Sequence, residues 1–298
     1  MDGFISKIQR YSTKDGPGIR STVFAVGCNL CCKWCSNPEL IGAGPKILYH
    51  AERCARCGAC VARSGGAIRL GSEGCTIDRE KCTNLEECAA ACFYNAYEHI
   101  GKTITAEDLA AALVRDKAFY DRSGGGVTFS GGEPALQAEF FRDVVALLKK
   151  SAIHTALDTA GHIPWESLAP LVEAVDLVLY DIKAFDNALH ERYMGVGSRL
   201  ILENARRIAE MKKPMIVRMI LAPGVNDGKE EIENRLAFIR DLGAQQLDIL
   251  KYHRLGAGKY KALGRQEPMG DTPEYSNEAA DQVLQKARSM GLAATIGG

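Results

Sequence analysis

All 11 cysteines of this 298-residue chain lie between Cys28 and Cys92, and the remaining two-thirds of the sequence has none. That confinement constrains the fold more than any other feature. A disulfide framework belongs to short secreted domains, whereas this chain is long and opens MDGFISKIQR, with no apolar signal segment. Thiols at spacings of two and three residues point instead to metal, held in a reducing cytoplasm that is poor in oxygen. No run of 18 apolar residues predicts a membrane span. With 37 acidic and 37 basic residues there is no charge excess for nucleic acid or a membrane surface.

Cys28, Cys32 and Cys35 make a Cys-x3-Cys-x2-Cys run within GCNLCCKWCSNP, just after the apolar stretch STVFAV. Three thiolates at this spacing can hold three irons of a cubane cluster from one tight loop. The fourth iron then lacks a protein ligand, whereas electron-transfer clusters are normally closed by four cysteines. Such a site reads as one that binds something, a small amino acid-like ligand whose amine and carboxylate chelate the open iron. Cys31 forms a vicinal pair with Cys32 and permits a second, x2-x3 register.

Ahead of this loop, DGPG at 15–18 signals a turn, and Ile19 to Val26 reads as one strand. From about Glu52 to Ile100 the pattern is short, glycine-dotted and cysteine-dense. From Lys102 onward, apolar strands alternate with amphipathic helices. A helix through TAEDLAAALVRDKAFYD, capped by Thr105, precedes VTFS, a helix at 138–150, HTALDT and a helix at 165–174. DLVLYDI, a helix at 199–211, MIVRMIL, a helix at 229–242, QLDILKY and a helix at 276–290 follow. This alternation predicts a parallel sheet covered by helices. About six β/α units are fewer than the eight of a closed barrel. The expected fold is α/β, a partial TIM-like (β/α)6 barrel of residues 1–51 and 101–298, with an insert at 52–100.

Chemistry in such folds gathers at the C-terminal ends of strands. After VTFS come Gly131-Gly132-Glu133-Pro134, two glycines that let backbone approach a ligand and a carboxylate that can accept from an ammonium. Asp158 and Thr159 end the next strand, and Asp181 and Lys183 the one after; Arg218 lies on the fifth and His253 closes the sixth. Each alone reads equally well as a helix cap, a surface ion pair or a satisfied histidine. Five successive strands with polar groups at or near their ends argue against coincidence.

The cysteine loop followed by a GGE strand end resembles the radical SAM superfamily. More closely, GFISKIQRYSTKDGPGIRSTVF, GCNLCCKWCSNPE, TFSGGEPALQ, LDTAGH, LVLYDIK and KYHRLGAGKY resemble its glycyl radical enzyme activating enzymes, the group containing pyruvate formate-lyase activase. The resemblance implies an oxidoreductase with a catalytic 4Fe–4S cluster on Cys28, Cys32 and Cys35, and S-adenosylmethionine at its open iron. By the same resemblance, Trp34, Cys35 and Ser36 line the adenine, and Gly131, Gly132 and Glu133 receive the methionine amine. Asp158, Asp181, Lys183 and His253 take the ribose and carboxylate contacts, and a monovalent cation is allowed beside Asp158 and Asp181. Arg20 and Arg218 are weaker matches. Family spacing favours Cys32 over Cys31. The implied reaction cleaves S-adenosylmethionine reductively and takes hydrogen from a backbone glycine of a partner glycyl radical enzyme, with flavodoxin or ferredoxin as electron donor. No residue reads which partner is served.

In the insert, CARCGAC supplies Cys54, Cys57 and Cys60, and a second run supplies Cys82, Cys88 and Cys92. In a two-cluster ferredoxin the fourth cysteine of each run serves the other cluster. Cys54, Cys57, Cys60 and Cys92 then complete one auxiliary 4Fe–4S cluster in a ferredoxin-like lobe. Ser64 and Leu85 stand where a second cluster needs cysteines, leaving Cys82 and Cys88 with Cys75 as a further candidate. That second cluster stays open, and zinc would suit the leftover thiols. Two other activities compete with activation: a ferredoxin-type electron carrier, which needs no barrel, and a radical SAM enzyme acting on a small molecule.

Overall fold

The structure, a computed structural model, describes residues 1–44, 46–82 and 85–297. Strands β1 (Asp2–Ser12) and β2 (Arg20–Ala25) pair antiparallel around the DGPG turn. The cysteine-dense segment holds β3 (Lys46–Tyr49), β4 (Ile68–Gly71), β5 (Gly74–Ile77), α1 (Leu85–Ala90) and β6 (Tyr97–Ile100). Then β7 (Lys102–Thr105), α2 (Ala106–Val114) and α3 (Lys117–Ser123) lead back to the sheet. The rest alternates through β8 (Gly126–Gly131), α4 (Ala138–Lys149), β9 (Thr155–Thr159), α5 (Trp165–Ala174) and β10 (Leu177–Asp181). It continues through α6 (Asn187–Met194), α7 (Arg199–Glu210), β11 (Met215–Leu221), α8 (Lys229–Leu242) and β12 (Gln246–Lys251). Last come α9 (Ala257–Ala262), α10 (Asn277–Ser289) and β13 (Ala294–Ile296).

Among the described residues, nine strands form one sheet in the order β13-β12-β11-β10-β9-β8-β2-β1-β7. From β2 to β13 along that order the neighbours run parallel. β1 and β7 add antiparallel strands at the other edge. β13 and β7 do not pair, so the sheet stays open. The result is a mixed α/β fold with a large parallel sheet, consistent with a radical SAM-type partial barrel. Its strands read as apolar runs because helices cover them; all of Gly126–Ser130 is buried. α4 buries Phe140, Phe141, Val144, Val145 and Leu148, an apolar stripe at helical spacing. Phe141 meets Phe129 of β8 with ring centroids 4.9 Å apart, and its truncation to Ala would cost about 3–5 kcal/mol.

The structure departs from the sequence reading in four places. β1 is a full strand between β2 and β7 whose alternation is broken by register shifts at Ile5/Lys7 and Gln9/Ser12, so its period was masked. The helix capped by Thr105, whose Oγ1 accepts from Asp108 N at 3.1 Å, breaks at Arg115–Asp116. There the Asp116 carboxylate turns inward to Arg10, Ser21 and Tyr120. α6 and α9 are short helices in stretches to which the sequence reading assigned no element. β3 pairs with β6, so Lys46–Tyr49 joins the end of the cysteine-dense segment. Among the described residues, no helix is long and apolar enough to cross a membrane.

Candidate functional site

The C-terminal ends of β2, β8, β9 and β10 meet at one cavity. Cys28, Cys32 and Cys35 line it together with Ser130, Gly131, Gly132, Asp158, Thr159, Asp181 and Lys183. Cys31 is exposed and Cys32 buried, so the fold presents the x3-x2 register. The loop is anchored from outside its own sequence. Cys31 N donates to Met194 O at 2.8 Å and Lys33 N to Tyr193 O at 3.0 Å, both on the last turn of α6. On the other side Lys259 of α9 reaches Glu39 and Asn37, each at 2.6 Å. Gly256 is required there, since a Cβ would stand 2.7 Å from Cys35 O. Lys259 was not singled out from the sequence, although its motif KYHRLGAGKY was.

The thiols suit an iron cluster. Burial pushes Cys28 up to about 12 and raises Cys32 and Cys35 as well, while Lys183 opposes all three shifts. Buried thiols become thiolates when a cation takes the proton's place, which is what metal binding does. Backbone N–H groups of Leu30 and Asn37 already point at Cys28 Sγ (3.5 Å) and Cys35 Sγ (3.4 Å).

The glycine turn has a different physical basis from the one expected. A Cβ on Gly131, whose φ is +110°, would stand 2.5 Å from Ala25 N, and one on Gly132 would stand 2.1 Å from Gly27 O. Close packing of β8 on β2 thus demands both glycines, whatever they bind. Glu133 was expected to accept from a ligand ammonium, but it is 1 % exposed and its carboxylate is committed. Oε1 accepts from Thr159 Oγ1 (2.7 Å) and Ala135 N (3.2 Å), and Oε2 from Ala160 N (3.0 Å). Burial outweighs these bonds and lifts its pKa to about 7. It ties the β8 turn to the end of β9.

Across the cavity, charge is balanced in a network. Lys183 Nζ lies 2.7 Å from Asp181 Oδ2, and Arg218 Nη1 lies 2.9 Å from Asp158 Oδ2. Arg218 also approaches Asp181 at 3.8 Å, and Ser130 Oγ donates to Asp158 at 2.7 Å. Burial raises Asp158. At Asp181 burial pulls upward too, but Lys183 and Arg218 outweigh it and hold the carboxyl below its usual range. Arg218, a weak match on sequence, is the bridge between the two strand ends. Arg20 sits at the other end of the sheet, fully buried against Thr128, Val127 O and Pro17 O. Trp34, Ser36 and His253 stand outside the cavity walls, Trp34 within the barrel core.

A second pocket lies in the cysteine-dense segment, lined by Cys54, Cys57, Cys60, Cys75 and Cys92 with Tyr94 and Tyr97. Cys75 therefore faces the first cysteine set: its Sγ is 3.7 Å from Cys60 Sγ. Ser64 is buried and spends its hydroxyl on Val61 O (2.8 Å) and Ile68 N (3.1 Å). Leu85 packs on the small core of this lobe. Among the described residues no three His, Cys, Asp or Glu side chains converge as one ion would require. Each pocket gathers at least three cysteines, the donor type that an iron–sulfur cluster takes.

Comparison with known proteins agrees with this geometry. The radical SAM superfamily profile matches residues 22–239. An isethionate sulfite-lyase activating enzyme from Nitratidesulfovibrio vulgaris is 40% identical over 277 residues, 90% of either chain. A trans-4-hydroxy-L-proline dehydratase activating enzyme from Clostridioides difficile is 35% identical over the whole of both chains. Among solved structures, a domain of a pyruvate-formate lyase-activating enzyme from Bacteroides vulgatus superposes with a TM-score of 0.50 and 34% identity. It covers 58% of this chain and 99% of that one.

Proposed function

Because the chain belongs to the radical SAM superfamily, and within it to the glycyl radical enzyme activating enzymes, we propose that Cys28, Cys32 and Cys35 hold the 4Fe–4S cluster and that S-adenosylmethionine lies across their shared cavity. The observation that carries this assignment is the single cavity in which three buried-loop thiols face Gly131, Gly132, Asp158, Asp181 and Lys183. Cluster and S-adenosylmethionine together supply one-electron cleavage of a sulfonium, giving methionine and a 5′-deoxyadenosyl radical able to take hydrogen from a glycine Cα.

The chain's own residues bind, orient and screen. The Gly131–Gly132 backbone offers carbonyls to the amine, and Glu133 keeps that turn in place from behind. Lys183, held by Asp181, presents positive charge to the carboxylate. Asp158, braced by Ser130 and Arg218, presents an acceptor to the ribose, with His253 closing from the loop after β12. Trp34 supports Cys35 and Ser36 at the adenine from the core side. Arg218 and Lys183 already meet the two carboxylates, so a monovalent cation there would compete with them. Orientation in a cavity from which water is excluded is the protein's share of the rate.

The substrate is a backbone glycine of a glycyl radical enzyme, entering where the sheet is open, and flavodoxin or ferredoxin supplies the electron. Residues 52–100 form a ferredoxin-like lobe on the barrel of 1–51 and 101–298, with the β3–β6 ladder as its neck. That lobe holds one auxiliary 4Fe–4S cluster, on Cys54, Cys57, Cys60 and Cys92. A second is disfavoured because Ser64 is committed to its own turn and Leu85 to the lobe's core, the two places where a second cubane needs cysteines.

The test is anaerobic. The reconstituted chain is given S-adenosylmethionine, dithionite and a glycyl radical enzyme, and 5′-deoxyadenosine and the protein radical are both counted. One nucleoside per glycyl radical is expected. Nucleoside without a protein radical, accompanied by turnover of a small molecule, would overturn the assignment.

A further inference from the structure

Cys75 belongs to neither ferredoxin run, yet its sulfur stands 3.7 Å from Sγ of the proposed cluster ligand Cys60. Its place is set by the backbone. Cys75 lies on β5, paired with Leu70 of β4, and its N–H donates to Tyr49 Oη at 2.7 Å. Gly74 before it has φ +113°, and a Cβ there would strike Tyr49 Oη at 2.7 Å, so this hairpin seats against Tyr49 at a fixed depth.

The short sulfur–sulfur distance decides what Cys75 can be. Thiolates on different irons of a cubane diverge outward from the cluster and do not stand in contact. Two thiolates sharing one tetrahedral ion, with bonds of about 2.3 Å, would stand this close. But among the described residues no third His, Cys, Asp or Glu converges with them on a single-ion point. What remains is a sulfur-to-sulfur hydrogen bond. A ligating Cys60 is a thiolate and can only accept, so Cys75 must donate. A second observation points into the same pocket. Tyr97 lines it and is 8 % exposed, and its buried hydroxyl has no hydrogen-bond partner among the described residues. The pocket thus holds the polar hydrogens of Cys75 and Tyr97 beyond the four ligands.

We propose that Cys75 is a non-ligating thiol that donates its S–H to the Cys60 thiolate and raises the reduction potential of the auxiliary cluster. This rests on the reading of one auxiliary cluster on Cys54, Cys57, Cys60 and Cys92. A donor to a ligand sulfur favours the more negative, reduced state of the cluster, and such bonds are among the factors that set its potential.

The experiment compares the anaerobic holoprotein with Cys75→Ala and Cys75→Ser. Iron and sulfide are counted, and the auxiliary cluster is titrated with dithionite under EPR. Its signal is the one that does not move when S-adenosylmethionine is added, since all its irons are closed. All three proteins should hold about eight irons, four per cubane. In Cys75→Ala the equilibrium constant for reduction should fall about threefold to tenfold, tenfold being ~59 mV for one electron. Cys75→Ser, whose hydroxyl still donates, should recover most of the shift, and it provides the comparison should the alanine variant fold poorly. Loss of about four irons in either variant would make Cys75 a ligand. Eight irons with an unmoved potential would remove the hydrogen bond. A wild-type chain holding only about four irons would overturn the auxiliary-cluster reading itself, and this inference with it.

Discussion

The two cysteine groups of this protein rest on unlike supports. Cys28, Cys32 and Cys35 hang from the end of a strand inside a nine-stranded sheet, and α6 and α9 grip their loop from either side. Cys54, Cys57, Cys60, Cys75 and Cys92 are held by two short two-stranded ladders and a six-residue helix over a core of few residues. On the proposed assignment, an open cluster in the barrel and a closed one in the lobe, the difference follows from the task. A site that leaves one iron open must position a ligand, and needs polar groups from several strands held rigidly. A closed site needs thiols alone, and a lobe too small to bury much apolar surface gains its stability from the metal.

The largest effect that would break this comparison is at the open site. Cys32→Ala should reduce 5′-deoxyadenosine formation to background and remove about four irons, whereas Cys31→Ala should stay within about twofold of wild type. Equal losses in the two variants would show that the register presented by the fold is not the one used. Stripping the metal comes next. Hydrogen exchange should show amides of β4, β5 and α1 losing protection while β8 to β12 keep theirs, as the proposed auxiliary cluster would stabilise the lobe and not the sheet. Uniform loss across the chain would erase the distinction between the supports.

A smaller effect tests the polar network that only the open site possesses. Arg218→Met leaves Asp158 and Asp181 without their bridge, and breaking such a buried pair should cost about 3–5 kcal/mol in denaturant unfolding at neutral pH. The smallest is a pH slope. Burial raises Glu133 to about 7 in the folded chain. Stability from its protonated form is therefore full below its unfolded value, near 4.5, and is lost as pH rises through 7. Wild type should lose about 1–3 kcal/mol from this group between pH 5 and pH 8. Glu133→Gln should flatten that segment of the stability curve, and an unchanged slope would place the titrating group elsewhere.

Much of this was legible in the chain itself, for identifiable reasons. β8 to β12 announce themselves because strands covered on both faces must be apolar throughout, and α5 and α8 were bounded correctly because an amphipathic stripe has a period. β1 escaped because bulges interrupt its alternation, and α6 and α9 because eight and six residues hold too few turns to show one. At the site, cysteine spacing picked out the thiols that line the cavity, but the surroundings of Glu133 and Arg218 were not legible. A carboxylate after two glycines looks free to bind until Thr159 and Ala160, from another strand, are seen to occupy it. An arginine within MIVRMIL looks incidental until Asp158 and Asp181 close on it.

The sequence by itself determined what is local or periodic: the alternation of apolar strands with amphipathic helices, the spacing of the cysteines and the motifs that place the chain in its family. Only the tertiary structure decided what depends on pairing between distant segments. It buried Cys32 and left Cys31 exposed, seated the Glu133 carboxylate on Thr159 and Ala160, set Arg218 between two carboxylates and brought Cys75 against Cys60. Each of these is a contact between residues far apart in the chain or on different strands. Its geometry is fixed by how the sheet and the lobe pack, which no spacing along the chain encodes.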